Sequence, residues 1–385
     1  MVEATERSAF VTRFEPQYLN ALVNFYRDIW DPGATPESVS RARARDASQN
    51  VVSPGEEFPT YLFMQRGEVL GHLTTIPVRL RAAGIDRAAY WLIGFMVHPQ
   101  HRNGPIGFLL LKQAVHDLEI MLSLTVQQTT IRLLTAVGFR EIGTLPNYLR
   151  PLRPGRILSK LDPEVLGLGG LPAAVRIAAR AARVPMVAGG AGLAVGAGLR
   201  VWAAVLGRPG RGTREHDSPQ ALEVSADTLW NDCRDRLGCV AGRGAAYFRW
   251  RYETSPGGPY RSVGVTQHGA LRGLAVIRVP RANGDPRLQG IRVATLSDLV
   301  YDPARADVGL ALLAGAERAA RRLDADALVA SAAHQAHGPL LKRRGFLRFP
   351  GNLHLLVRDA AGELVGAKLD EWWVLRGDMN ADMVF

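Results

Sequence analysis

The chain repeats itself, and a repeat of this length fixes the architecture before any single residue is considered. "GEVLGHLTTIPVRL" from Gly67 parallels "GALRGLAVIRV" from Gly269, so that Gly71 meets Gly273. "MVHPQHRNGPIGFLLLKQAV" parallels "LVYDPARADVGLALLAGAE", which sets Val97 on Val300 and Gly107 near Gly309. "LLTAVGF", Leu133 to Phe139, parallels "LLKRRGF", Leu340 to Phe346. Landmarks in one order, each displaced by roughly 200 residues, mark two copies of one domain rather than a solenoid of short repeats. The 385 residues also exceed what one hydrophobic core normally serves.

Within the first copy, Tyr61 to Met64 and Val69 to Pro77 read as strands joined by a turn at Gly67, and Ala89 to Val97 as a strand buried on both faces. Leu111, Val115, Leu118 and Leu122 recur at helical spacing, which predicts a helix from Phe108 to Met121. A strand near Leu122 to Val126 and a helix near Thr130 to Val137 follow. The second copy predicts the same series: Arg261 to Val265, Gly273 to Val279, Val293 to Val300, a helix over Val308 to Leu323, a strand over Ala327 to Ser331, and a helix ending before Gly345. The expected class is α/β (α+β), each copy a mixed central sheet flanked by helices. The expected divisions are 1–152, an inter-domain segment at 153–240, and 241–385.

That segment is rich in Gly, Pro, Ala and Arg. Val184 to Leu199 holds no charge and is flanked by Arg183 and Arg200. It is too short and too glycine-rich for the roughly 20 apolar residues of a membrane span. It reads as a small-residue helix packed between domains, with a peripheral membrane contact through 184–206 as the other reading.

The net charge of +11 suits an anionic cofactor, yet no Lys/Arg run of the nucleic-acid-binding kind is present. Cys233 and Cys239 fit neither a zinc site nor a disulfide framework and read as reduced thiols of a cytoplasmic protein. Glu3 and Glu6 precede any apolar run, which a secretory signal does not allow. No nucleophile elbow, HExxH or phosphate-binding P-loop motif occurs.

Chemistry concentrates in Val97-His98-Pro99-Gln100-His101-Arg102-Asn103-Gly104-Pro105-Ile106-Gly107. A Gly-containing turn between a buried strand and a helix aims unpaired N–H groups and the positive helix end at one point, a site for pyrophosphate. This segment resembles the acetyl-CoA signature of the GNAT (Gcn5-related N-acetyltransferase) superfamily, Arg/Gln-x-x-Gly-x-Gly/Ala. Arg102 and Gly107 match its ends, while Pro105 stands where the family has Gly, with Gly104 beside it. The Leu-Leu-x-x-x-Gly-Phe runs resemble the family's late helix, although Leu134 and Leu341 replace its usual general-acid tyrosine.

The resemblance implies an N-acetyltransferase in which Val97, His98, Arg102, Asn103, Gly104, Pro105, Ile106 and Gly107 hold acetyl-CoA and a small-molecule amine is the acceptor. Another acyl carrier, aminoacyl-tRNA or a longer acyl donor, and a non-catalytic binding protein stay open. The second copy's loop, Asp302 to Gly309, carries Asp302 and Asp307, which would repel pyrophosphate. His98 ends the strand and offers an imidazole as a candidate base, with His101 in the loop beyond it. Glu56 and Glu57 could act through water, and Tyr148 could replace the missing acid. In "Tyr-Phe-Arg-Trp-Arg-Tyr" at 247–252, Arg249 and Arg251 are candidates for an anionic acceptor group. Near the end, Trp372 and Trp373 read as a strand, and Asp378 and Asp382 as candidates for an ammonium.

Overall fold

A computed structural model describes residues 9–160, 185–208, 214–216, 223–254, 259–281, 290–364, 366–379 and 382. Arg183 and Val184, with the rest of 161–184, lie outside the described residues.

The chain forms two units, Met1–Thr144 with Leu353–Lys368, and Leu145–Asn352 with Leu369–Phe385. In unit 1 the elements are β1 (Phe10–Arg13), α1 (Leu19–Ile29), α2 (Pro36–Ala47), β2 (Thr60–Gln65), β3 (Glu68–Ala82), β4 (Ile85–Val97), α3 (Ile106–Asp117), β5 (Ile120–Thr125), α4 (Gln128–Ala136) and the start of β6 (Arg140–Pro151). Unit 2 takes the end of β6, then α5 (Pro154–Lys160), α6 (Pro185–Leu206), β7 (Arg214–His216) and α7 (Glu223–Cys233). It continues with β8 (Tyr260–Gln267), β9 (Ala270–Arg281), β10 (Val293–Tyr301), α8 (Ala306–Arg322), β11 (Ala327–Ser331), α9 (His337–Arg343) and the start of β12 (Leu347–Asp359).

The sheets follow one plan. Unit 1 runs β1-β2-β3-β4-β5-β12 and unit 2 runs β7-β8-β9-β10-β11-β6. β4 and β5 are parallel, as are β10 and β11. The last strand of each series comes from the other half of the chain: β12 pairs antiparallel with β5, from His354↔Thr125 to Asp359↔Ile120. β6 in turn pairs antiparallel with β11, from Asn147↔Ser331 to Pro151↔Ala327. Division by the repeat alone gives Leu353–Lys368 to the second copy and Leu145–Leu152 to the first; the strand exchange places both the other way.

The repeated glycines have physical causes. Arg66 with Gly67, and His268 with Gly269, take positive φ in succession, the two-residue turn that matches the twist of a hairpin. At Gly71 a Cβ would sit 2.5 Å from Ile106 Cγ2 and 2.8 Å from Leu110 Cδ1; at Gly273 it would sit 2.8 Å from Val308 Cγ1 and 2.7 Å from Leu312 Cδ1. Any side chain there would lift the helix off its sheet. The ladder pairs Gly71 with Val97 and Gly273 with Tyr301, so Tyr301, not Val300, is the counterpart of Val97. The irregularities fall at different places in the two strand pairs, after His72 in one and after Val276 in the other, which letter matching does not detect.

α3 and α4 cover one face of the unit 1 sheet through Leu110, Leu111, Leu134 and Phe139, packed on Tyr61, Leu73 and Leu92. α1 covers the opposite face through Leu22, Val23 and Phe25, packed on Leu62, Met64 and Val69. α3 stops at Asp117, short of the expected Met121, because Leu118 is already extended and its apolar spacing continues into a buried strand. Trp372 and Trp373 are not on a strand; among the described residues the β pairing of that segment is limited to the isolated bridges Cys239↔Trp372 and Ala332↔Leu375. α6 presents exposed Leu193, Val201, Trp202 and Val205, while Gly192 lies so near Gly155 that a Cβ would meet its backbone. Among the described residues no helix is long and apolar enough to cross a membrane.

Candidate active site

β4 and β5 pair at only two positions, Tyr90↔Met121 and Trp91↔Leu122, and then part. β5 continues on β12 while β4 continues on β3, so a gap opens between their C-terminal ends. The His98 N–H donates to the Leu70 carbonyl at 2.9 Å. The alternation of an antiparallel ladder therefore turns the N–H and C=O of its neighbour Val97 away from β3, toward the side β5 has left. Arg102 Nε donates to that Val97 carbonyl at 3.2 Å.

Arg102 to Pro105 form an exposed loop, and Pro105 is the N-cap of α3 without a side-chain cap. Leu109 is the first N–H to close the helix, onto the Pro105 carbonyl, so Ile106, Gly107 and Phe108 present their N–H groups at the helix mouth. Gly107 itself is buried, and a Cβ there would sit 3.2 Å from the Phe95 ring.

Unit 2 has the same parting, since β10 and β11 pair only from Val293↔Ala327 to Thr295↔Val329. There it is filled. The Trp373 indole N–H donates to the Leu299 carbonyl on β10 at 2.7 Å. Beyond the end of β11, the Ala333 N–H donates to the Val374 carbonyl. Trp373 lies 4.3 Å from the His337 ring and 5.4 Å from the Tyr301 ring, centroid to centroid. At the helix mouth, Asp307 accepts from Arg305 and Gln267 and stays a carboxylate, its pKa lowered first by the Arg305 hydrogen bond. Asp302 is held by Arg236 at 2.8 Å.

The expected site residues separate between the units. His98 opens onto a cavity of about 510 Å³ lined by α1, the Gly67–Leu70 turn, Gln100 and His101, and its Nδ1 is buried without a partner among the described residues. Glu57 is exposed and ion-paired with Arg43; with Glu56 it lines a different cavity, beside Asp117 and Tyr90. Tyr148 falls in unit 2, because the exchanged β6 carries it to Ala330; its hydroxyl lies 3.0 Å from where a Gly338 Cβ would be.

Arg251 is buried with its donors committed to Asp382 (2.8 Å), the Gly377 carbonyl (2.9 Å) and the Tyr260 hydroxyl (3.1 Å). It therefore offers nothing to an acceptor. Arg249 is exposed on a π-helical turn, Arg249–Glu253. Asp378 is likewise committed, to Arg243 at 2.6 Å and the Leu375 N–H, and Asp382, paired with Arg251 through Oδ1, is wholly buried, so neither is exposed to an ammonium from solvent. Cys233 and Cys239 are free and buried, and burial pushes their thiols up to about 12 and about 11.

Sequence reading missed two polar assemblies of unit 1. His354, brought by β12 to the end of β5, bonds Glu141 through Nδ1 at 2.6 Å. His72, fully buried on β3, bonds the Gly94 carbonyl through Nδ1 at 2.7 Å and the Tyr26 hydroxyl through Nε2 at 3.0 Å. Neither assembly has a sequence signature, since its members lie far apart in the chain.

The architecture is that of the GCN5-related N-acetyltransferase fold, present twice. No family model matches the sequence, and no curated protein does. Solved structures share the fold. A probable N-acyltransferase from Enterococcus faecalis V583 superimposes with a TM-score of 0.57 at 9% identity, over 92% of this chain and 73% of that one. A GCN5-related N-acetyltransferase from Anabaena variabilis gives 0.55 at 10% identity, over 92% and 73%. N-myristoyltransferase from Saccharomyces cerevisiae, solved with myristoyl-CoA bound, gives 0.52 at 14% identity, over 91% and 82%.

Proposed function

We propose that unit 1 binds an acyl-CoA, with acetyl-CoA as donor, and transfers the acyl group to a primary amine of a small molecule or cell-envelope precursor. The observation that carries this reading is the parting of β4 from β5 in front of the N-terminus of α3. Ile106, Gly107 and Phe108 would hold the pyrophosphate by their N–H groups, with Arg102, Asn103 and Gly104 bordering it. The thioester would lie along the inner edge of β4, where the Val97 N–H is aimed. Unit 2, its gap filled by Trp373 and its helix mouth occupied by Asp307, has no donor site in this reading.

Two histidines of unit 1 qualify to take the proton from the attacking amine. His98 stands directly after β4; His354 has Nδ1 fixed by the Glu141 carboxylate, which leaves Nε2 as its basic nitrogen. The test is thiol release from acetyl-CoA and myristoyl-CoA over amino sugars, amino acids and polyamines. Replacing the true base by Gln should lower kcat by about 10²- to 10⁴-fold while donor affinity stays. Equal rates in His98→Gln, His354→Gln and the parent chain would remove both from the mechanism.

For α6 we propose a peripheral contact with an anionic membrane, supported by its exposed Leu193, Val201 and Val205 beside exposed Arg200. Co-sedimentation with phosphatidylglycerol vesicles, lost in Val201→Asp, is the expected result.

A further inference from the structure

We propose that the phenol oxygen of Tyr26 receives the acceptor's N–H in unit 1, and that His72 is the positioning residue that makes this oxygen a pure hydrogen-bond acceptor. The inference rests on the acyl-transfer reading above and deepens it, by naming the group that recognises the amine.

The direction of each hydrogen bond follows from the geometry. The Gly94 carbonyl can only accept, so the His72 Nδ1 at 2.7 Å carries the hydrogen. His72 is wholly buried, and desolvation lowers its pKa to about 4, so the ring is neutral and Nε2 holds a lone pair. The Tyr26 hydroxyl, 3.0 Å away, must then donate to Nε2. What remains on that oxygen is two lone pairs. Tyr26 itself is half-buried. A hydroxyl fixed in this way accepts from an amine or ammonium, and has no hydrogen left for a carbonyl or carboxylate.

The location fits the chemistry. Gly94 sits at the irregularity of β4, between the pairs Thr74↔Ile93 and His72↔Met96, with φ +56. This is the stretch of β4 that β5 has left. Trp30, largely exposed, has its ring 5.2 Å from that of Tyr26 and supplies an aromatic wall suited to the alkyl or cationic part of an amine.

Unit 2 is an internal control. Leu274, next to Gly273 and paired with Val300, stands where His72 stands next to Gly71 and is paired with Met96. The fold is therefore made equally well with leucine, and the histidine is not needed to build the sheet.

Two measurements test the proposal. Long-range ¹H–¹⁵N spectra of the full chain should show His72 as the neutral Nδ1–H tautomer at pH 7 and still at pH 5. An Nε2–H tautomer, or a cation at pH 6, overturns it. Thiol release from acetyl-CoA, with spermidine and glucosamine as probe amines, should show the amine KM raised about tenfold in Tyr26→Phe and in His72→Leu. The double variant should be no worse than either single, because both remove one oriented oxygen. Acetyl-CoA affinity by calorimetry should be unchanged in all three. An amine KM unaltered in Tyr26→Phe overturns the inference. Failure of the parent chain to bind acetyl-CoA would instead overturn the underlying reading, and the tautomer experiment reads out independently of it.

Discussion

Trp373 donates its indole N–H to the carbonyl of Leu299 at 2.7 Å, inside the gap between two parallel strands of unit 2. The same gap in unit 1 lies before the proposed pyrophosphate site. A duplicated fold has thus been given two different fillings, a buried tryptophan in one copy and, in our reading, a thioester in the other.

Trp373 is wholly buried and packed on Tyr301, His334 and His337. Trp373→Ala should cost about 3–5 kcal/mol, through lost burial and the cavity left behind. The check is the urea midpoint of the full chain. A cost below about 1 kcal/mol would mean that the segment is loosely held, contrary to its hydrogen bonds.

Buried neutral histidines should make the protein acid-sensitive. Desolvation lowers His72 to about 4 and His334 to about 4, and holds His337 well below the ordinary histidine value. The unfolded chain takes up these protons near the ordinary histidine value, about 6.5, so it binds more protons than the native state below that pH. The neutral-histidine contribution is complete above about pH 6.5 and is lost as pH falls toward 4. For His72 the loss between pH 6.5 and pH 5 should be about 2 kcal/mol. His72→Leu should narrow the difference between urea midpoints measured at pH 7 and pH 5, and an unchanged difference would contradict the assignment.

The strand exchange predicts the behaviour of a fragment. Met1 to Pro154 lacks His354–Asp359, the residues that pair with β5. It should bind acetyl-CoA at least tenfold more weakly than the full chain, with an open strand edge that favours aggregation. Calorimetry on the purified fragment decides this; full-strength binding would mean that β12 is dispensable to the donor site.

Much of the fold was legible because its causes are local. Gly67 and Gly269 carry hairpin turns, Gly71 and Gly273 admit a helix, and Gly138 and Gly345 take positive φ after α4 and α9. The loop before Gly107 was legible for the same reason. The exchange of β6 and β12 was not, because each strand satisfies the same apolar pattern whichever copy it joins. This moved Tyr148 away from the first-copy site and brought in His354. Arg251 and Asp382 lie far apart in sequence, so neither revealed that the other already neutralises it. In the sequence His72 is one polar residue in an apolar strand, and its partners Gly94 and Tyr26 are distant in the chain.

The donor site can be tested by transferring one residue between the copies. In the repeat alignment that sets Gly107 on Gly309, Pro105 matches Asp307. Asp is a favourable N-cap, so Pro105→Asp should leave the helix intact while placing a carboxylate where the pyrophosphate would bind. Isothermal calorimetry on the full chain should find one acetyl-CoA per chain, with affinity falling by about tenfold or more in Pro105→Asp at unchanged thermal stability. Two equivalents per chain, or equal affinity in the variant and the parent, would contradict a donor site at the mouth of α3 in unit 1.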